Sequence, residues 1–327
     1  MYVSSIENQK NFLSLLDAHF TTTAQTGAVA VTDIDQDGAF DVIVAVSDAA
    51  NLILGYDEGS GGHAELPLPA DFREALEDKQ GRTVGVCACD VDGDGLDDVY
   101  LMNDNPVYPA SDVIIIPDRL LSLHGAGGVR DLFSLPGNAE IAPARGGNAV
   151  GCIDSDGDGR YEILLATYSK DGRGIIQRIH VDSVDIVKVE NLEAISVDSN
   201  QYLPQRGMVD RDADSYGAFM GDLDSDGDLD LMYVNWLGQA RLFMGFNHTG
   251  FTQHPILQPG AGTASMVLLF GYFDTTGHPS ILVTDVAAPD NYRPGNQIFH
   301  VSVQGNSTLL DNYNLGELLG SLFMNGI

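Results

Sequence analysis

The chain has 327 residues, 44% of them hydrophobic, which supports the core of one large repeat domain or two ordinary ones. Its 16 basic and 47 acidic residues give a net charge of −31, so nucleic acid and anionic membrane are poor partners. No apolar run is long enough to span a bilayer, and the first residues show neither the basic nor the apolar region of a signal peptide.

In chain order, Phe12-Leu13-Ser14-Leu15-Leu16-Asp17 is expected to form a strand that closes a ring against the last repeat. A unit then begins. Gly27-Ala28-Val29-Ala30-Val31 reads as a strand, residues 33–41 as an acidic loop, and Val42-Ile43-Val44-Ala45-Val46 and Leu52-Ile53-Leu54-Gly55-Tyr56 as two further strands. The second unit has Val84-Gly85-Val86-Cys87-Ala88-Cys89, a loop over 90–98, Val99-Tyr100-Leu101-Met102 and Arg119-Leu120-Leu121-Ser122-Leu123. The third has Asn148-Ala149-Val150-Gly151-Cys152-Ile153, a loop over 154–162, Ile163-Leu164-Leu165-Ala166 and Ile175-Ile176-Gln177-Arg178-Ile179. The fourth has Gly217-Ala218-Phe219-Met220-Gly221, a loop over 222–230, Leu231-Met232-Tyr233-Val234 and Arg241-Leu242-Phe243-Met244. A variable fourth strand completes each unit.

All four loops read Asp-x-Asp-x-Asp-Gly-x-x-(Asp/Glu). Alternating carboxylates suit a hard cation, and glycine at the sixth position permits the sharp turn. The expected ligands are Asp33, Asp35, Asp37 and Asp41; Asp90, Asp92, Asp94 and Asp98; Asp154, Asp156, Asp158 and Glu162; Asp222, Asp224, Asp226 and Asp230. Ca2+ is the expected ion, about four per chain, because Mg2+ keeps its waters and tolerates crowded carboxylates poorly. Four divalent cations would add eight positive charges and leave the chain at −23. An EF-hand is excluded, because position 12 is Val44, Leu101, Leu165 or Tyr233 rather than glutamate, and β-rich runs follow instead of a helix. The ion's expected role is structural, neutralising carboxylates that repel within one hairpin.

A fifth copy has lost its acids. Residues 271–281 align with 221–231 without a gap, but Tyr272, Thr276 and Ser280 replace three carboxylates, leaving Asp274 and the turn Gly277. This loop keeps the turn without the metal, and its strands persist as Ile281-Leu282-Val283-Thr284 and Gln297-Ile298-Phe299-His300-Val301. Loop starts at 33, 90, 154, 222 and 272 are spaced by 57, 64, 68 and 50 residues, the size of a four-stranded blade with some long connections. The fold class read from this is all-β: a single β-propeller domain over 1–327, with five four-stranded blades and Ca2+ loops in four. Segments 57–82, 103–117 and 183–213 read as the long connections, rich in Pro, Gly, Asp and Asn, where recognition would lie.

Other residues point to no chemistry. Cys87, Cys89 and Cys152 do not make a disulfide framework; they read as small buried hydrophobes, with one disulfide between neighbouring repeats as the alternative. Eight histidines lack zinc spacing, and no nucleophile elbow appears. Asn247 and Asn306 open glycosylation sequons in turns after third strands, where a glycan would be exposed.

These loops and their flanks resemble the FG-GAP (VCBS) repeat, the calcium-loop blade of integrin α-subunit propellers, over about residues 25–305. Three runs are closer still to the cartilage acidic protein and ASPIC/UnbV group: Gly27 to Asp33, Gln80 to Gly95, and Val234-Asn235-Trp236-Leu237-Gly238-Gln239-Ala240-Arg241-Leu242. That resemblance implies a secreted, acidic, calcium-binding protein of matrix or adhesion, not an enzyme. The family usually continues into more repeats and an ASPIC/UnbV domain, so closure with five blades rests on spacing rather than on the resemblance. An open edge that pairs with another copy is the alternative. The expected partner is an extracellular protein or a glycan. Self-assembly into a filament or matrix is the first rival reading, and a lectin or polysaccharide-active enzyme the second.

Overall fold

In the computed structural model the acidic loops join hydrogen-bonded neighbouring strands. The structure describes residues 26–57, 59, 61–105, 114–124, 128–144, 147–168, 174–183, 185–191 and 193–195. It also describes, as backbone, 209–210, 215–221, 230–235, 241–244, 250–253, 264–271, 280–286, 297–304 and 307–314. Among these residues the chain is mostly β-sheet.

Sheet 1 runs β1 (Thr26–Thr32), β2 (Asp41–Val46), β3 (Leu52–Asp57), β4 (Gly62–Glu65), and sheet 2 runs β5 (Thr83–Cys89), β6 (Asp98–Asn103), β7 (Arg119–Ser122), β8 (Arg130–Asp131). Sheet 3 contains β9 (Gly147–Ile153), β10 (Glu162–Tyr168), β11 (Gly174–Ser183) and β12 (Ile186–Asn191). Two short strands follow, β13 (Glu193–Ile195) and β14 (Val209–Asp210), and β14 pairs with β11. Sheet 4 contains β15 (Ser215–Gly221), β16 (Asp230–Asn235), β17 (Arg241–Met244) and β18 (Gly250–Gln253), with β13 parallel to β18. Sheet 5 contains β19 (Ala264–Gly271), β20 (Ser280–Val286), β21 (Gln297–Gln304) and β22 (Ser307–Asn314). Apart from β13 and β14, the strand order within each sheet follows the sequence, an up-and-down meander.

The hairpins share one register. Thr32 faces Asp41, Cys89 faces Asp98, Gly221 faces Asp230, and Gly271 faces Ser280. The fifth hairpin therefore closes at the equivalent pair although its loop lacks three acids. A register shift also recurs near the start of the first strand in sheets 1, 2, 4 and 5, at Thr26/Val29, Thr83/Gly85, Ser215/Gly217 and Ser265/Val267. One extra residue there bends the strand and increases its twist.

The chain divides into two compact units, Met1–Ile163 with Ile179–Val189, and Leu164–Arg178 with Glu190–Ile327; the division falls within sheet 3. The core of the first unit lies between sheets 1 and 2. Ile43, Ala45 and Ile53 of sheet 1 pack with Val86, Val99, Leu101 and Leu121 of sheet 2, all buried. Alternation in the strands aims these side chains to one face.

Two connections hold more structure than the fourth strands that the sequence pattern expects. Segment 57–82 contains β4 and a helix, α1 (Ala70–Glu77), so the description all-β is corrected to mostly β. Leu76 and Ala75 of α1 join the core between sheets 1 and 2, which holds this short helix in place. Segment 183–213 contains β12, β13 and β14. The alternative reading of the cysteines holds for one pair: Cys89 and Cys152 form a disulfide, with Cα atoms 6.2 Å apart, while Cys87 is a buried free thiol. The expected strand 12–17, loop 222–229, loop 272–279 and the sequon residues Asn247 and Asn306 lie outside the described residues.

Candidate cation loops

Each of the first three loops is built on the same backbone frame. In loop 1 the Asp37 N–H donates to Asp33 Oδ1 (3.0 Å) and Asp35 Oδ1 (3.2 Å). Gly38 N–H donates to Asp33 Oδ2 (2.9 Å), and Ala39 N–H to Asp37 Oδ1 (2.7 Å). Loop 2 repeats this, with Asp94 N–H to Asp90 and Asp92 (3.1 Å each), Gly95 N–H to Asp90 (2.8 Å) and Leu96 N–H to Asp94 (2.9 Å). Loop 3 does the same through Asp158, Gly159 and Arg160, at 2.8 to 3.1 Å. The turn needs left-handed backbone twice, not once. Gly38, Gly95 and Gly159 have φ of 88–90°, and the fourth position is left-handed too, at Gln36 (61°), Gly93 (80°) and Gly157 (72°). The glycines at 93 and 157 were the sequence signal for that second requirement.

This frame gathers three carboxylates per loop: Asp33, Asp35, Asp37; Asp90, Asp92, Asp94; Asp154, Asp156, Asp158. In each trio one oxygen per residue lies within 4.8 Å of the others. Two oxygens bound to one Ca2+ at about 2.4 Å can stand at most about 4.8 Å apart, so the spacing fits that ion. The donor set is all oxygen, which suits a hard cation. Of the fourth expected set, only Asp230 is among the described residues, at the start of β16.

The ninth residue of each of these loops uses one carboxylate oxygen to bond the loop's own backbone. Asp41 Oδ2 accepts the N–H of Ile34 (2.8 Å), and Asp98 Oδ2 that of Val91 (3.1 Å). Glu162 accepts both the N–H of Ser155 (2.8 Å) and its hydroxyl. All three carboxylates are buried and tie the second residue of the loop to its last. Burial, with the charges of Asp35 and Asp37 added, pushes the Asp41 carboxyl up to about 6. Burial and then the charges of Asp92, Asp94 and Asp90 push Asp98 up to about 7. Asp92 is also raised, by burial first and by Asp94 and Asp90. Burial is the larger cause of each shift, and the neighbouring carboxylates add repulsion that a bound cation would relieve.

Neighbouring loops touch. Thr32 Oγ1, just before loop 1, donates to Asp97 Oδ2 of loop 2 at 2.5 Å. Tyr161 N–H of loop 3 donates to the Asp90 carbonyl of loop 2 at 2.9 Å.

A cavity of about 740 Å³ lies on the first unit, bounded by α1, Asp78, Ile116, Pro117, Arg119 and Phe133. Arg119 is held by Asp78 (3.2 Å), Asp131 (3.1 Å) and the Ala75 carbonyl (2.9 Å). Asp118 is buried beneath it. It accepts Tyr100 Oη–H (2.6 Å) and Asn103 N–H (2.8 Å), and burial pushes its carboxyl up to about 8. These bonds account for the carboxylate as a structural node of sheet 2.

No family model matches the chain. It is 30% identical over 276 residues to "Cartilage acidic protein 1" of Xenopus tropicalis, covering 68% of this chain and 42% of that protein. To the Mus musculus protein of the same name it is 27% identical over 351 residues, covering 89% and 53%. The chain thus spans about half the length of these relatives. Among solved structures, the Dos1 propeller matches with a TM-score of 0.49 at 12% identity, covering 89% of this chain and 60% of that one. The Vibrio cholerae biofilm matrix protein Bap1 matches with a TM-score of 0.44 at 16% identity, covering 89% and 40%.

Proposed function

We propose that the chain is a single β-propeller domain of FG-GAP type whose acidic loops hold Ca2+, and that it serves outside the cell as a non-enzymatic binding or matrix module. One observation carries this reading: the same carboxylate trio on the same hydrogen-bond frame in three successive loops. A solvated acidic turn has no need to repeat that frame, whereas a cation needs it each time. The relatives, named for acidity and cartilage, support the extracellular setting. The partner on this reading is an extracellular protein or a glycan. Asp33, Asp35 and Asp37, with their equivalents in loops 2 and 3, would hold the ion, and the ion supplies positive charge between them.

Each occupied loop adds about 2.7 kcal/mol of stability when free Ca2+ is 100 times its dissociation constant. At roughly 2–4 °C per kcal/mol, several occupied loops should raise the melting temperature of chelator-stripped protein by at least about 10 °C. Scanning calorimetry in EGTA against 1 mM Ca2+ reads this directly. Identical melting in the two buffers would overturn the calcium reading.

A further inference from the structure

Loops 2 and 3 are joined far more tightly than loops built separately on neighbouring sheets require. Cys89 immediately precedes Asp90, the first carboxylate of loop 2, and Cys152 lies two residues before Asp154, the first of loop 3. The disulfide between them fixes the starts of both loops together across 63 residues of sequence. The Tyr161 N–H, from position 8 of loop 3, then donates to the carbonyl of Asp90 itself at 2.9 Å. Arg160 packs over the turn of loop 2, so close that a Cβ on Gly93 would come within 2.7 Å of Arg160 Nε. Residues of loop 3 therefore rest on both the first and the fourth positions of loop 2. Loop 1 approaches loop 2 through a side-chain hydrogen bond, Thr32 to Asp97, with no covalent tie among the described residues.

We propose that Cys89–Cys152 makes loops 2 and 3 one coupled cation-binding unit, in which filling either loop tightens the other. This rests on the calcium reading of the loops. The charge of three carboxylates opposes the closed form of a loop, so a cation that holds the loop closed does so at a cost in backbone entropy. The disulfide and the Tyr161–Asp90 bond give the two loops a shared frame. Ordering one loop therefore removes part of the cost of ordering the other. Linkage makes the effect reciprocal: loop 3 must help loop 2 by the same factor. The disulfide carries the effect because it holds the first residues of both loops at fixed separation. Without it the remaining contacts can break independently. Cys87, a free thiol on the same strand two residues away, has no part in this frame.

The test uses the full chain and Tb3+, a luminescent trivalent stand-in for Ca2+. The tyrosine-excited emission that Tyr161→Phe removes, and that persists when loop 2 is disabled, is the signal of loop 3. Loop 2 is disabled by Asp92→Asn. With the disulfide intact, Asp92→Asn should weaken Tb3+ binding at loop 3 about tenfold, within the usual range of coupling between sites. In Cys89→Ala/Cys152→Ala protein, loop 3 should already be weakened, and adding Asp92→Asn should change it less than twofold. Dithiothreitol offers the same comparison without substitution. It passes two electrons and two protons to the S–S bond, yields two thiols, and leaves as its own cyclic disulfide. An unchanged loop 3 midpoint in Asp92→Asn protein with the disulfide intact overturns the coupling, even if the double cysteine variant fails to fold. Equal weakening by Cys87→Ala also overturns it. Absence of any Tb3+ or Ca2+ binding by unaltered protein would instead bring down the calcium reading itself. Binding by independent loops would bring down the coupling alone.

Discussion

Asp118 shows how a single buried carboxyl can set the pH dependence of a sheet. Tyr100 and Asn103 each donate to it, yet burial outweighs both bonds and raises the carboxyl to about 8. Below pH of about 4, folded and unfolded chains both hold the proton and nothing is lost. Between about 4 and 8 the folded chain keeps a proton that the unfolded chain releases, so stability falls as pH rises, by up to about 1.4 kcal/mol per unit. Above 8 both forms are ionised and the curve levels. Asp98 and Asp41, raised to about 7 and about 6, act in the same direction when no cation is bound. Asp118→Asn removes the titration and keeps the shape. Its Oδ1 can still accept from Asn103, and its amide can donate to the Tyr100 oxygen. Urea unfolding in EGTA from pH 5 to 8 should give a shallower slope for this variant than for the unaltered chain. Equal slopes would show that Asp118 does not titrate in this range.

At the scale of the element, the hairpins depend on how closely strands of neighbouring sheets approach. A Cβ on Gly27 of β1 would lie 2.3 Å from the carbonyl oxygen of Val84 on β5, and no rotamer change can move a backbone oxygen. A Cβ on Gly85 would meet Val150 Cγ1 at 2.9 Å, Met102 Sδ at 3.1 Å and Met102 Cβ at 3.2 Å, side-chain contacts that are longer and more easily relieved than a clash with a backbone oxygen. Gly27→Ala should therefore cost about 1–3 kcal/mol, and Gly85→Ala less, by urea unfolding; the reverse order would reject this account of strand approach. The hairpins themselves were legible in the sequence, because apolar runs flank every loop and the loop length fixes the register. Even the fifth hairpin was legible, since Gly277 and the ungapped alignment survive the loss of acids. The helix α1 was not. Its eight residues sit between Pro69 and Asp78 in a segment with many turn formers, and tertiary contacts hold them: burial of Ala75 and Leu76, and bonds from Arg119 to the Ala75 carbonyl and from Asn51 to the Leu76 and Glu77 carbonyls. The bond that the ninth loop residue makes to backbone was hidden as well, because spacing places the carboxylate in the loop but does not show which N–H it meets or that Asp41, Asp98 and Glu162 are buried. The disulfide was legible only as an alternative, since pairing depends on how the strands carrying Cys89 and Cys152 are brought together.

For the molecule as a whole, charge is the term that cations and salt must balance. A net charge of −31 opposes compaction, and three described loops concentrate nine carboxylates in trios. Two remedies exist: divalent ions bound in the loops, or diffuse counterions around the surface. They differ in reach. Raising NaCl from 0.01 to 0.15 M shortens the screening length from about 30 Å to about 8 Å, which weakens repulsion between loops more than repulsion within one trio. The chelator-stripped protein should therefore gain a few degrees of melting temperature from this change in salt. The calcium-loaded protein should gain much less, because much of its local repulsion is already neutralised. It can even lose stability, since salt also weakens the attraction of loops for Ca2+. Melting curves at the two salt concentrations, with EGTA and with 1 mM Ca2+, give four values and one difference of interest. If salt raises the melting temperature equally with and without Ca2+, the loops are not where the destabilising charge resides. The repulsion would then belong to the acidic surface outside them.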